Sequence, residues 1–198
     1  MKMYKVSFRI VGTTESGEAY CEEANKARAF LQTVEDVAAA YGVEKDRVCV
    51  TGVEEERQRW VFDDGGREEA GFKGRTGDCA CRAIAIATGI PYKEVYNLIN
   101  EYGKRERIGK RKRGRSNART GVYHNTVRRI MEDLGWTWVP TMSIGSGCTV
   151  HLRGDELPPG RILTSLSRHY AAVVDGVVHD TYDSTRGGER CVYGYFKK

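Results

Sequence analysis

Three residues far apart in the chain, Cys79, His169 and Asp180, carry the side chains of a nucleophile, a general base and an acid that can orient the base. Cys79 follows Asp78 and opens the run CACRAIAIAT, which ends at Gly89. That pattern predicts a helix over Cys79–Thr88, with Asp78 as its N-cap and Gly89 as its terminator. In the first turn of a helix, unpaired N–H groups and the positive end of the macrodipole favour a thiolate. The same N–H groups can receive the negative oxygen formed when sulfur attacks a carbonyl. Gly77 and Ala80 leave the approach open. A small buried core thiol is the competing reading of the same position.

His169 begins the stretch HYAAVV, which is followed by Asp175-Gly176, a two-residue hairpin turn signal. A tight turn pairs Val174 with Val177, Ala172 with His179, Ala171 with Asp180 and His169 with Tyr182. Side chains alternate faces along a strand, and opposed residues share a face. His169, Ala171, Val173, Val178, Asp180 and Tyr182 are then expected on one side, with Asp180 diagonal to His169, while His179 points the other way. A carboxylate placed so can hold the imidazole tautomer and stabilise its cation. Small Ala171 leaves space for the contact.

The remaining sequence supplies the elements that must position these groups. With 198 residues, 40% of them hydrophobic and 30% charged, the chain can build one large domain or two small ones. Tyr4, Val6, Phe8 and Ile10 alternate as in a half-buried strand. Phe30, Val34, Val37, Ala38 and Tyr41 fall at helical spacing before Gly42. Strands at Arg47–Val53 and Arg57–Phe62 complete a small α+β domain over 1–66, its helix covering a three-stranded sheet. From 67 to 198 the order is helices first (Cys79–Thr88, one begun by Pro91, one through Val127, Ile130, Met131 and Leu134) and then antiparallel strands. The expected fold class is therefore α+β, with N-terminal helices packed on an antiparallel sheet.

The stretches TGDCACRAIAIATG and SRHYAAVVDGVVHDTYD, with the closing CVYGYF, resemble the papain-like cysteine peptidase superfamily, and small phage and mobile-element proteins with the same Cys/His/Asp skeleton. The chain order is also that of transglutaminase-like proteins. The resemblance covers roughly residues 70 to 198. It implies Cys79 as nucleophile, His169 as general base and then acid, Asp180 as the orienting group, a protein or peptide substrate, and no cofactor. No glutamine occurs between Gln58 and Cys79, so Thr76 or a backbone N–H is expected to complete the oxyanion site. The reaction this implies is hydrolysis of an amide, isopeptide or thioester bond through an acyl-enzyme; deamidation and cross-linking share its first step.

Charge gives the rival reading. Nine Lys/Arg and one acid, Glu106, lie between Lys104 and Arg119, leaving 23 basic against 26 acidic residues elsewhere. The chain is a mildly acidic body with one basic run, read as an extended solvated loop. Through Lys110, Arg111, Lys112, Arg113 and Arg115 that run could instead hold nucleic acid or an acidic protein, making the chain an inert binding module on an inherited scaffold. The six cysteines form no dense framework and no metal-ligand spacing, so reduced thiols and no metal are expected. A Cys148–His151 pair is left open by spacing. His124 is expected in a cap or surface role. No apolar run nears the ~20 residues of a membrane span, and the opening MKMYKVSFRIVG has no apolar signal core, which points to a cytoplasmic protein.

Overall fold

The computed structural model describes residues 2–55, 60–108, 114–143 and 145–198. The chain divides into two compact units, Met1–Gln58 and Arg59–Lys198. The division falls at 58/59 rather than at the expected 66/67.

The first unit is a three-stranded antiparallel sheet in the order β2-β1-β3, formed by β1 (Lys2–Ile10), β2 (Ser16–Glu23) and β3 (Val48–Glu55). Helix α1 (Lys26–Tyr41) covers one face. Tyr4, Val6, Phe8 and Ile10 are buried, as their alternation requires. The face of α1 differs from expectation. Ala29, Thr33, Val37 and Ala38 are buried, whereas Phe30 and Tyr41 are exposed. Small residues at the contact let the helix backbone lie close to the sheet: the Cys21 thiol on β2 reaches the Ala29 carbonyl at 3.8 Å. Asn25 caps the helix start by accepting from the Arg28 N–H, and Gly42 ends it with φ 63°.

The second unit is α+β. Its six-stranded sheet has the order β4-β8-β7-β6-β9-β5, built from β4 (Trp60–Phe62), β5 (Thr137–Pro140), β6 (Arg161–Leu166), β7 (His169–Val174), β8 (Val177–Asp180) and β9 (Val192–Lys197). All pairs are antiparallel except β4 with β8. The segment expected to finish the small N-terminal sheet thus joins this one instead, Val61 standing beside His179 and Phe62 beside Asp180. Helices α2 (Cys79–Thr88), α3 (Tyr92–Lys104) and α4 (His124–Asp133) follow β4 in the chain. Helix α2 is apolar nearly all round and is accordingly sandwiched, touching β7 and β6 on one side and α3 on another. Among the described residues, no helix is long and apolar enough to cross a membrane.

Both faces of the central strands are buried. Leu163, Tyr170, Ala172 and Phe196 pack with Ile84, Ile99 and Val127 of the helices. The alternate residues Ile162, Ala171, Val173 and Val192 pack with Leu152 and Leu157 from the segment before β6. Strands covered on both sides read as continuous apolar runs, which β6 and β7 do.

Glu106, the single acid of the basic run, is buried. It accepts the Ser116 N–H at 2.7 Å and also bonds the Thr126 hydroxyl. Asn100 on α3 accepts the Ala118 N–H at 3.0 Å. Gly103 sits so close to the Ser116 carbonyl that any Cβ would collide with it. Residues 114–121 are therefore strapped along α3 rather than extended in solvent. Of the basic candidates, Arg115 is exposed in a hollow beside Asn97 and Lys104; Lys110, Arg111, Lys112 and Arg113 lie outside the described residues.

Two cysteines depart from the expected reduced state. Cys148 and Cys191 form a disulfide, with Cα atoms 5.8 Å apart. The contact is made by an isolated bridge between His151 and Cys191, a pairing across the fold that spacing does not reveal. His151 binds Glu156 at 3.0 Å, so no Cys148–His151 pair forms.

Candidate active site

Cys79 is the first residue of α2, His169 the first of β7 and Asp180 the last of β8. These ends converge because α2 packs on β7 and because the β7–β8 hairpin takes the register set by Asp175-Gly176. Ala172 pairs with His179, Val173 with Val178 and Val174 with Val177. Asp175 and Gly176 have φ of 48° and 85°, the left-handed pair that a two-residue hairpin turn needs.

His169 Nε2 lies 2.6 Å from Asp180 Oδ2, and both side chains are buried. The other ring nitrogen is left for Cys79, whose thiolate form is favoured by His169 and by the Tyr170 backbone. Tyr182 closes one side, its ring 5.4 Å from the imidazole. His179 points away and binds Asp63 at 2.8 Å.

The electrostatics follow from these contacts. Burial pushes the Cys79 thiol up, but the hydrogen bond and charge of His169, the Tyr170 backbone and the Arg82 guanidinium together bring it below its ordinary value. For His169, burial acts downward and is outweighed by Asp180 and Cys79, which raise the imidazole to about 8. Burial would raise the Asp180 carboxyl, yet the His169 contact and the Thr181 N–H at 2.8 Å hold it below the usual range. By contrast Cys81, buried two residues along the same helix, is pushed up to about 12. Two thiols of one helix are thus shifted in opposite directions.

Asp78 is not the N-cap its position promised: it makes no capping bond to the helix backbone. Its buried carboxylate instead takes Arg82 at 2.8 Å, Arg67 at 2.9 Å and the Tyr92 hydroxyl at 2.7 Å. The first-turn N–H groups are consequently free of side-chain caps at the point where an oxyanion would form. Arg82 also stands 4.0 Å from Asp180. The Asp78–Arg82 spacing of four was readable in the sequence as a helix ion pair; that it would stand behind the Cys/His/Asp group was not.

A cavity of about 640 Å³ opens at the thiol. Cys79, Ala80 and His169 line it together with the aromatic rings of His124, Trp138 and Tyr193. Gly194 on β9 makes room for the Trp138 indole, which a Cβ there would strike. His124, expected in a cap or surface role, opens α4 and bonds the Tyr170 hydroxyl through Nδ1 at 2.8 Å. Burial, with Arg128 nearby, holds its imidazole below the ordinary value. The segment that precedes the thiol is fixed by the Gly77 N–H, which donates to the Arg119 carbonyl at 2.9 Å. Thr76 is not among the cavity-lining residues, and its buried hydroxyl has no partner. No group of three or more His, Cys, Asp or Glu among the described residues is arranged to hold a metal ion.

No protein-family model, curated protein or solved structure matches the chain. The functional argument therefore rests on the site itself.

Proposed function

We propose that the second unit is a cysteine-dependent acyl-transfer enzyme of papain-like type, which hydrolyses an amide, isopeptide or thioester bond in a protein or peptide. The reading is carried by one observation: an imidazole bonded through Nε2 to a buried carboxylate lines the same cavity as the thiol at the start of α2 and favours its thiolate. Helices on one face of a mostly antiparallel sheet, with the nucleophile at a helix start and the base at a strand start, agree with that type.

In this scheme the Cys79 proton passes to His169, and sulfur attacks the carbonyl carbon while the oxyanion rests on first-turn N–H groups of α2. The carbon–nitrogen bond then breaks, and the imidazolium protonates the departing amine. His169 next takes a proton from water, whose oxygen displaces the thioester sulfur and restores the thiol. Asp180 stays ionised and holds the ring.

The test is whether an acyl-enzyme forms. Mixing the protein with an acyl thioester or a p-nitrophenyl ester, quenching in acid and mapping the adduct by mass spectrometry is expected to place the acyl group on Cys79. The Cys79→Ala chain is expected to carry none. Absence of any adduct on Cys79 with both probes sinks the reading.

A further inference from the structure

Strands β6 and β7 are joined by a two-residue turn, Ser167-Arg168, closed by the Leu166–His169 pair. Arg168 has φ 55°, a left-handed conformation that costs an L-residue steric energy and that such turns ordinarily give to glycine or asparagine. Among the described residues, two other non-glycine residues share a positive φ, Asp175 and Arg186. Asp175 has a local reason, since its carboxylate accepts the Gly160 N–H at 2.8 Å. Arg168 has no such reason: its side chain is exposed and forms no hydrogen bond or ion pair with any described residue. It does line the cavity, directly beside His169. Among the described residues lining that cavity there is no Asp or Glu, so the guanidinium faces no internal counter-charge. Arg186 shares this φ away from the cavity, so the position of Arg168 carries the argument: an unpaired cation lining the cavity that holds Cys79 and His169, with no acid among the lining residues, is open to an anionic ligand.

We propose that Arg168 is a specificity-determining residue, binding a carboxylate carried by the acyl substrate close to the carbonyl that Cys79 attacks. The substrate class is then an acidic peptide, its carboxylate either an Asp/Glu side chain or the chain terminus. This rests on the reading of Cys79 as the nucleophile, and the two fail separately in one experiment.

The experiment compares alkylation by iodoacetate, which carries a carboxylate, with alkylation by neutral iodoacetamide. In both, the thiolate forms a carbon–sulfur bond and iodide leaves with the electron pair of the carbon–iodine bond. Rates at Cys79 are followed by peptide mass mapping, with the half-buried Cys21 and Cys49 as internal references for the two reagents. The iodoacetate-to-iodoacetamide ratio at Cys79 is expected to fall about fivefold in Arg168→Gly, the size of a partly exposed charge pair. Arg168→Lys is expected to recover most of it. Glycine suits the turn better than arginine, so the variant is expected to fold. An unchanged ratio overturns the role of Arg168 while leaving the nucleophile standing; no labelling of Cys79 by either reagent overturns both. Protection of Cys79 by N-acetyl-aspartic acid amide or by N-acetyl-alanine, lost in Arg168→Gly, identifies a side-chain or a terminal carboxylate respectively. Protection by neither overturns the acidic-peptide assignment.

Discussion

His169→Ala is expected to slow alkylation of Cys79 by iodoacetamide at pH 6 by about tenfold or more. An unassisted thiol with a pKa near 8.5 to 9 is only ~0.1–0.3% ionised at that pH. In the intact site burial raises the thiol, and His169, the Tyr170 backbone and Arg82 together bring it below its ordinary value; without the imidazole, burial is opposed only by the Tyr170 backbone and Arg82. The imidazole at about 8 gives the pH dependence its sign. The ring loses its proton at about pH 8, which sets the upper limit of the thiolate–imidazolium pair. Alkylation needs only the thiolate and is expected to persist above that point. Cleavage of an amide also needs the imidazolium to protonate the leaving nitrogen, so its rate is expected to fall through the same range. Divergence of the two profiles above pH 8 is the signature. If His169→Ala leaves the pH 6 rate within a few fold of the native chain, the thiolate does not come from histidine and the scheme is lost.

The largest effect on stability is expected at a residue that touches no substrate. Asp78→Ala leaves the Arg67 and Arg82 guanidiniums, each with a side chain only 14% exposed, without the carboxylate that binds them. Removing one partner of a buried charge group typically costs about 3–5 kcal/mol, because the remaining charges stay in low dielectric. The Tyr92 hydroxyl loses its acceptor in the same step. For a unit of this size that corresponds to a fall in Tm on the order of 10 °C. The three tryptophans, Trp60, Trp136 and Trp138, all belong to the second unit, so intrinsic fluorescence follows its unfolding alone. A loss under about 1 kcal/mol would mean that water replaces the carboxylate and that Asp78 does not organise the start of α2.

The hairpin that carries His169 and Asp180 was the most legible part of the sequence. Asp175-Gly176 fixes its register, and alternation then dictates which side chains meet. Helix α2 was equally plain, because CACRAIAIAT has no polar face to leave in solvent and Gly89 ends it. Legibility failed where pairing is distant or polarity hides it. Strand β2 alternates, but its exposed positions are Ser16, Glu18, Tyr20 and Glu22 and its partners only half-buried, a charged edge strand with little apolar signal. Strand β4 was assigned to its sequence neighbours, although parallel pairing with β8 lies more than a hundred residues away. The Cys148–Cys191 bond and the burial of Glu106 likewise depend on contacts that no local pattern encodes. Asp78 shows a different failure: the residue type and position suit a cap, and two half-buried arginines compete for the same carboxylate and win.

The short ribbon at Trp60–Phe62 bears on how the second unit could be prepared alone. It flanks the strand that ends in Asp180, and the Asp63 N–H donates to the Asp180 carbonyl at 2.9 Å. A fragment started at residue 67 would strip that flank away, baring a row of unpaired amides and carbonyls beside the acid of the reactive group. Such a margin recruits strands from other molecules. A preparation begun just before Trp60 keeps the flank covered, and that is where the excision belongs.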